Sequence, residues 1–175
     1  MKKLRMAVLG VMMVACLAVV GLAQDHSRGT STLTLKGKTI SVDYGQPSLK
    51  GRTTDELLGK LKPGGVWRLG ANTSTTLKTG IDLAFGGVTV PAGEYSIWMQ
   101  RQDDNSWKLL FDKKHGQWGE PTPDPAECFA STPLTESKAA SPVETLSLTL
   151  SKVSGGGALT IQWGTLEVST KFKAK

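Results

Sequence analysis

The chain has 175 residues, 21% of them charged, with a formal net charge of +6 and two cysteines. Its basic residues are interleaved with Asp and Glu and form no stripe with stacking aromatics, which argues against a nucleic-acid partner. The length is that of about one domain and suffices for a buried core without disulfides.

The first 23 residues have the features of a secretory signal peptide. A basic segment opens the chain at Lys2, Lys3 and Arg5, and an almost unbroken apolar run covers residues 6–20. The run is short for a membrane span, and Gly21 and Ala23 occupy the −3 and −1 positions of a cleavage site. We expect a signal peptide at 1–23 and an exported domain, periplasmic or extracellular, at 24–175. Loss of the three basic residues lowers the formal charge from +6 to +3.

A lipoprotein signal competes with this interpretation, because Met13-Val14-Ala15-Cys16 faintly resembles a lipobox. Met13 is a poor first residue, and an apolar stretch follows Cys16 where a polar tether is usual. We therefore expect neither lipid anchoring at Cys16 nor a membrane span after cleavage. Cys128 then remains as a single cysteine and cannot form an internal disulfide.

Apolar and polar residues alternate along most of the remaining chain, which is typical of strands with one buried face. In chain order, the apolar positions are Leu33 and Leu35; Ile40, Val42 and Tyr44; Ile81, Leu83 and Phe85; Tyr95, Ile97 and Met99; Trp107, Leu109 and Phe111; Leu146, Leu148 and Leu150; Leu159, Ile161 and Trp163; and Leu166 and Val168. Turn residues separate these segments at 86–87, 91–93, 103–105 and 155–157. The pattern predicts an all-β domain, a single antiparallel β-sandwich, with a jelly-roll-like or barrel-like variant as the alternative.

Two segments depart from the alternation. Acidic residues in a first turn and a terminal glycine predict one short helix over 54–59. Residues 120–142 hold five of the eight prolines, which predicts a long surface loop, either a plain connector or a flap over a site. Within one predicted strand, Tyr95 and Trp98 lie on opposite faces, so one of the two should be less buried.

Four segments carry a family resemblance. They are YGQPSLKGR at 44–52, VWRLGANTSTTL at 66–77, VTVPAGEYSIW at 88–98 and WKLLFDKKHGQWG at 107–119. In this order they resemble the bacterial family called domain of unknown function 2911 (DUF2911), over roughly residues 30–175. The resemblance implies a β-rich fold and an envelope location. It implies no catalytic residues, because the family has no established activity.

Arg68 carries the clearest functional signal in the chain. It stands between Trp67 and Leu69, so its guanidinium is expected to be partly desolvated and to need an acceptor. Candidate protein acceptors are Asp43, Asp82 and Asp112. The alternative acceptor is a carboxylate, phosphate or hydroxyl pair of a ligand, which the forked guanidinium suits.

Further candidate ligand-binding residues lie in neighbouring loops. They are Lys50, Arg52, Asn72, Ser74, His115 and Trp118. Loop cations hold anions or sugar acids, amides and hydroxyls supply hydrogen bonds, and an exposed indole stacks on a sugar ring. Each also has a structural alternative: surface ion pairs for the cations, a left-handed turn for Asn72, and a cap on the core for Trp118.

The sequence shows no motif for catalysis, a cofactor or a metal site. His115 is the one histidine beyond the N-terminal His26, and nothing around Cys128 indicates an activated thiolate that would pair with it. We predict a protein that binds a small polar or anionic ligand, for example a saccharide, through Arg68. The alternatives are an envelope protein-interaction or structural module and, third, a hydrolase-type enzyme with an acid or base in a cleft.

The signal peptide can be tested on the exported protein. We expect cleavage after Ala23, so that the mature chain begins at Gln24 and has the mass of residues 24–175. Intact-mass spectrometry and N-terminal sequencing of the exported fraction measure this. A chain retained uncleaved in the membrane, or a mature chain beginning at a lipidated Cys16, would contradict it.

Overall fold

The computed structural model describes residues 27–175, so the predicted signal peptide, Cys16 and His26 lie outside the described part of the chain. In chain order the strands are β1 (Arg28–Leu35), β2 (Lys38–Gly45), β3 (Val66–Trp67), β4 (Thr76–Thr79), β5 (Leu83–Phe85), β6 (Val88–Val90), β7 (Gly93–Arg101), β8 (Trp107–Asp112), β9 (Ala130–Val153) and β10 (Gly156–Ala174). One helix, α1, covers Thr54–Leu58, and a 3₁₀ turn covers Pro125–Glu127. The predicted all-β class with one short helix is confirmed.

Antiparallel pairing joins the strands in the order β1-β2-β4-β7-β8-β9-β10-β5-β6, and β3 pairs with β7. The long β9 serves both halves of this sheet, since its first residues pair with β8 and most of the remainder pairs with β10. The two halves face each other: the backbone N–H of Leu150 in β9 donates to Ser31 Oγ in β1 at 2.9 Å. The sheet therefore folds over itself into a sandwich.

The core lies between the facing halves and is built from the alternating apolar positions. Fully buried members include Ile40, Val42, Ile97, Leu109, Leu146 and Ile161. The Phe85 ring lies at its centre, with its centroid 5.0 Å from that of Phe111 and 5.1 Å from that of Phe172. Tilted aromatic pairs at this distance add to the stability that burial alone provides.

Tyr95 and Trp98 are both buried, 8% and 0% exposed, so the prediction that one of them is less buried is wrong. Trp98 pairs across the sheet with Leu110, which is also buried, and both lie outside the main core cluster. Ser96 lies on the same face of β7 as Trp98, and its hydroxyl contacts Ser74 and Gln117. The chain after β8 thus folds over the outer face, which buries both faces of β7.

The predicted loop of 120–142 is shorter in the structure, because β9 already begins at Ala130. Pro133 lies where β9 pairs with β8, and pairing of β9 with β10 starts only at Thr135, so its missing N–H falls on an open edge. Pro142 lies at an irregularity in the β9–β10 register. Proline is compatible with a strand at an open edge or at a bulge. The high proline content therefore indicated a loop where the structure has a strand.

Helix α1 is capped at its N-terminus by Thr53, one residue before the predicted start, and it ends at Gly59 as predicted. Thr53 Oγ1 accepts from the backbone N–H of Glu56 at 3.2 Å, and the Glu56 carboxylate accepts from the backbone N–H of Thr53 at 2.6 Å. This capping box lowers the pKa of Glu56. At the other end, Arg101 Nη1 donates to the carbonyls of Leu58 and Leu61. Within residues 27–175, no helix is long and apolar enough to span a membrane.

The covered outer face can be tested by truncating Leu110. We expect Leu110→Ala to lower the free energy of unfolding by about 2–4 kcal/mol, as at a core position, because a cavity forms on a covered face. Urea unfolding measures this. Lys108→Ala is the matched control: Lys108 lies on the same strand and face but is only half-buried. A cost below about 0.5 kcal/mol for Leu110→Ala would mean that the outer face is not packed.

Candidate functional site

A strained turn holds Arg68. Trp67 stacks on Trp163 of β10, with ring centroids 5.5 Å apart and planes 7° apart. The chain then turns through Leu69 and Asn72, whose φ angles are 51° and 62°. The left-handed region is costly for a residue such as Leu and tolerated by Asn. Thr75 Oγ1 donates to the Leu69 carbonyl at 2.6 Å and holds the turn in place.

The turn lies directly on strand β2. A side chain at Gly45 would place its Cβ 2.1 Å from the Ala71 carbonyl oxygen, so only glycine permits this approach of the two backbones. Because the turn is fixed on one side by β2 and internally by Thr75, it presents Arg68 from a rigid scaffold.

A second segment, residues 117–119, pairs with the chain that follows the turn. The Ser74 N–H donates to the Gln117 carbonyl, and the Gly119 N–H donates to the Asn72 carbonyl, both at 2.8 Å. A Cβ on Gly119 would lie 2.6 Å from Arg68 Cδ, so this glycine makes room for the aliphatic part of the arginine. The pairing places the segments that carry Arg68, Asn72 and Trp118 next to each other.

Arg68 lines a groove of about 290 Å³, here called the Arg68 groove. Its apolar wall includes Leu57, Leu61, Trp67 and Trp163, and its other charged residue is Glu120. The Arg68 side chain is 33% exposed, and its Nε lies 4.0 Å from Glu120 Oε1, at the limit of an ion pair. The indole N–H of Trp163 has no hydrogen-bond partner among the described residues, but it is enclosed and does not open into the groove.

The four arginines of residues 27–175 differ in how their guanidinium groups are bonded. Arg28 donates to Asp43 and to the Thr73 carbonyl; Arg52 donates to the Leu49 carbonyl; and Arg101 donates to backbone carbonyls and to Asn105. The Arg68 guanidinium, alone among these four, hydrogen-bonds to no residue of the described chain, which leaves its donors available.

The expected protein acceptors for Arg68 are engaged elsewhere. Asp43 pairs with Arg28, Asp82 accepts from the Ala92 N–H, and Asp112 accepts from the Lys114 N–H. Glu120, which does lie beside Arg68, was not predicted from the sequence. Its position next to the candidate Trp118-Gly119 was the one available signal.

The remaining predicted residues lie apart from Arg68 or are engaged internally. Ser74 is 1% exposed, and its hydroxyl lies 2.8 Å from that of Ser96. The Lys50 N–H donates to Glu144, and Arg52 Nε donates to the Leu49 carbonyl, on a separate loop. Neither Lys50 nor Arg52 lines the Arg68 groove.

His115 belongs to a surface cluster of its own. Its Nδ1 lies 3.6 Å from Glu94 Oε2, and Lys78 Nζ lies 2.5 Å from the other oxygen of Glu94. The hydrogen bond and charge of Lys78, followed by the charge of His115, lower the pKa of Glu94. The structure therefore places His115 beside an exposed ion pair.

Trp118 lines a different and larger cavity of about 640 Å³, here called the Trp118 cleft. Its indole is 59% exposed. The polar lining consists mainly of Asp112, Lys114, Gln117, Glu120, Asp124 and Glu127. Glu120 lines both cavities, so Arg68 and Trp118 line two neighbouring cavities that share this residue.

The arrangement offers little support for nucleophilic or metal chemistry. Burial, followed by the charges of Asp112, Asp124 and Glu127, raises the pKa of Cys128 to about 11, so its thiol stays protonated near neutral pH. Among residues 27–175, no group of three or more His, Cys, Asp or Glu side chains is placed to hold a metal ion.

Comparison with known proteins gave one family match. A family model described as "Protein of unknown function (DUF2911)" matches residues 27–172, nearly the whole of the described chain. No curated protein and no solved structure matched.

The contrast between arginines predicts their effects on stability. Arg68→Ala should lower the free energy of unfolding by less than about 1 kcal/mol, because its one ion pair is long and exposed. Arg101→Ala should cost about 2 kcal/mol, because it leaves carbonyls at the end of α1 without their charged donor. Denaturant unfolding of both variants checks this. An Arg68→Ala cost equal to that of Arg101→Ala would indicate that Arg68 has a structural role.

Proposed function

The chain belongs to the DUF2911 family, which has no assigned function, and we propose that it is an exported protein that binds a small polar or anionic ligand through Arg68. The observation that carries the proposal is the guanidinium without a hydrogen bond at the wall of an apolar groove. A rigid turn presents this group, and two thirds of its side chain is buried.

The guanidinium has the chemistry of an anion anchor. It carries five N–H donors in a planar fork, which fits a carboxylate or phosphate through two parallel bonds. Because the Arg68 side chain is largely shielded from water, a ligand oxygen there loses less to competition with solvent than at an open surface. The same two N–H groups can also donate to a pair of neighbouring hydroxyls on a neutral sugar.

Glu120 supports the same interpretation as a displaceable partner. Its side chain is 56% exposed, and at 4.0 Å the contact with Arg68 is longer than a hydrogen bond. An exposed pair of this kind contributes little to stability, so a ligand anion replaces the carboxylate at low cost. The negative charge of Glu120 also opposes an incoming anion, and its removal should therefore strengthen binding.

The apolar wall fits the rest of such a ligand. Leu57 and Leu61 extend from α1 and the chain after it, and Trp67 closes the groove at the sheet. Small-molecule sites typically combine an apolar lining with a few well-placed polar groups. The groove has this composition, with Arg68 as its cation.

An envelope interaction module remains the second candidate. The open edges of β1 and β6, each paired on one side in the sheet order, favour it, because such edges are templates for a further strand. Against it, the exposed large hydrophobic residues of the described chain are Trp118 and Phe129, and the Phe129 ring packs against Tyr95. An enzyme receives less support, since the carboxylate beside Arg68 is more than half exposed.

Titration calorimetry of the mature chain tests the proposal, with acetate, inorganic phosphate and glucuronate as probes. At least one probe should bind wild-type protein, and Arg68→Ala should weaken that binding at least about tenfold, because a charge-assisted hydrogen bond is lost. Glu120→Gln should tighten it by removing a competing negative charge.

Arg52→Ala is the matched control, since it removes the same charge from a different loop and should leave binding unchanged. Equal binding by Arg68→Ala and wild type would refute the site. An equal loss of affinity in Arg68→Ala and Arg52→Ala would show that binding depends on the net charge of the protein and not on Arg68 itself. Thermal unfolding of each variant establishes that it is folded.

A further inference from the structure

We propose that the Trp118 cleft is a second binding site, separate from the Arg68 groove, that takes a neutral or amino-bearing saccharide ring stacked on the Trp118 indole. Three features of the cleft support this: the indole is rigidly held, two polar groups beside it have free hydrogen-bonding capacity, and the lining is acidic.

Trp118 is exposed on a fixed piece of backbone. The residues on both sides of it are hydrogen-bonded to the turn, through Gln117 O to Ser74 N and Gly119 N to Asn72 O, each at 2.8 Å. The other four tryptophans of the chain are buried or half-buried. A preformed aromatic platform at the wall of a cavity loses little conformational entropy when a flat apolar face binds to it, and the apolar face of a sugar ring is such a surface.

Asp112 supplies an acceptor at the base of this cleft. Its side chain lines the cleft although the residue is only 9% exposed, and its Oδ1 accepts from the Lys114 N–H at 2.9 Å. Its second oxygen, Oδ2, accepts no hydrogen bond within the described chain. Oδ2 is not enclosed by the protein, so it is free to accept from a ligand hydroxyl that enters the cleft.

Gln117 supplies the complementary donor. Its Oε1 accepts from Ser96 Oγ at 3.3 Å, while its amide NH₂ donates to no residue of the described chain. Ser96 is also the direct cross-strand partner of Asp112, so the free amide and the free carboxylate oxygen belong to neighbouring residues. A sugar hydroxyl both donates and accepts, and this pair of groups meets both requirements.

The charge of the lining defines the class of saccharide. Four carboxylates, those of Asp112, Glu120, Asp124 and Glu127, surround the cleft, against the one ammonium group of Lys114. An anionic sugar would meet like charges there, whereas a neutral or aminated one would not. The cleft therefore has the opposite preference from the Arg68 groove, which argues for two sites and against one extended site.

The test compares three sugars that differ mainly in charge: glucose, glucosamine and glucuronate. Binding is followed by tryptophan fluorescence and by saturation-transfer NMR, in an Arg68→Ala background so that the Arg68 groove does not contribute. Glucose or glucosamine should bind and glucuronate should bind at least about tenfold more weakly. Trp118→Ala should weaken binding about tenfold, and Trp118→Phe should retain most of it, since a ring platform remains.

Asp112→Asn adds a matched polar variant of the same shape, which should weaken glucosamine more than glucose because it removes a negative charge. The proposal fails if no sugar binds, if glucuronate binds as well as glucose, or if Trp118→Ala titrates like its parent. None of these outcomes bears on whether an anion binds at Arg68, which is read in the wild-type background with acetate and phosphate.

Discussion

The backbone pairing between residues 72–74 and 117–119 is the constraint on which the functional region depends. Two hydrogen bonds of 2.8 Å lay the chain that follows β8 over the outer face of β7. This covering places Gln117 on Ser96 beside the buried Ser74, sets Gly119 against the stem of Arg68, and leaves the Trp118 indole exposed. These two hydrogen bonds therefore hold the segment 117–119 on the outer face of the sheet, between the Arg68 groove and the Trp118 cleft.

Those two neighbouring cavities differ in the charge of their lining. One contains a guanidinium without a hydrogen bond against an apolar wall, and the other contains four carboxylates around an indole. Glu120 lies at their border and contributes to both. A residue in that position reduces the positive charge of one cavity while adding to the negative charge of the other, so it tunes both preferences at once.

The sequence predicts the strands well wherever one face is buried and the other is exposed, because apolar and polar residues then alternate along the strand. The prediction fails at Trp98, because the outer face of β7 is buried there as well as the core face. It also fails along 130–142, where prolines occupy an open edge and a bulge of β9. Arg68 and Trp118 were identified because an arginine between apolar residues and an indole beside glycines are unusual locally. Glu120 was missed because its meeting with Arg68 depends on a tertiary pairing that leaves no local pattern in the sequence. Lys50, Arg52 and His115 do not line the Arg68 groove.

The 24-residue strand β9 has a consequence for how the domain folds. One continuous segment pairs with β8 at its beginning and with β10 along most of its remaining length, so it belongs to both layers. Neither layer retains a complete set of hydrogen bonds if the other comes apart. We therefore expect the two layers to unfold together, because loss of order in either one exposes the core that they share.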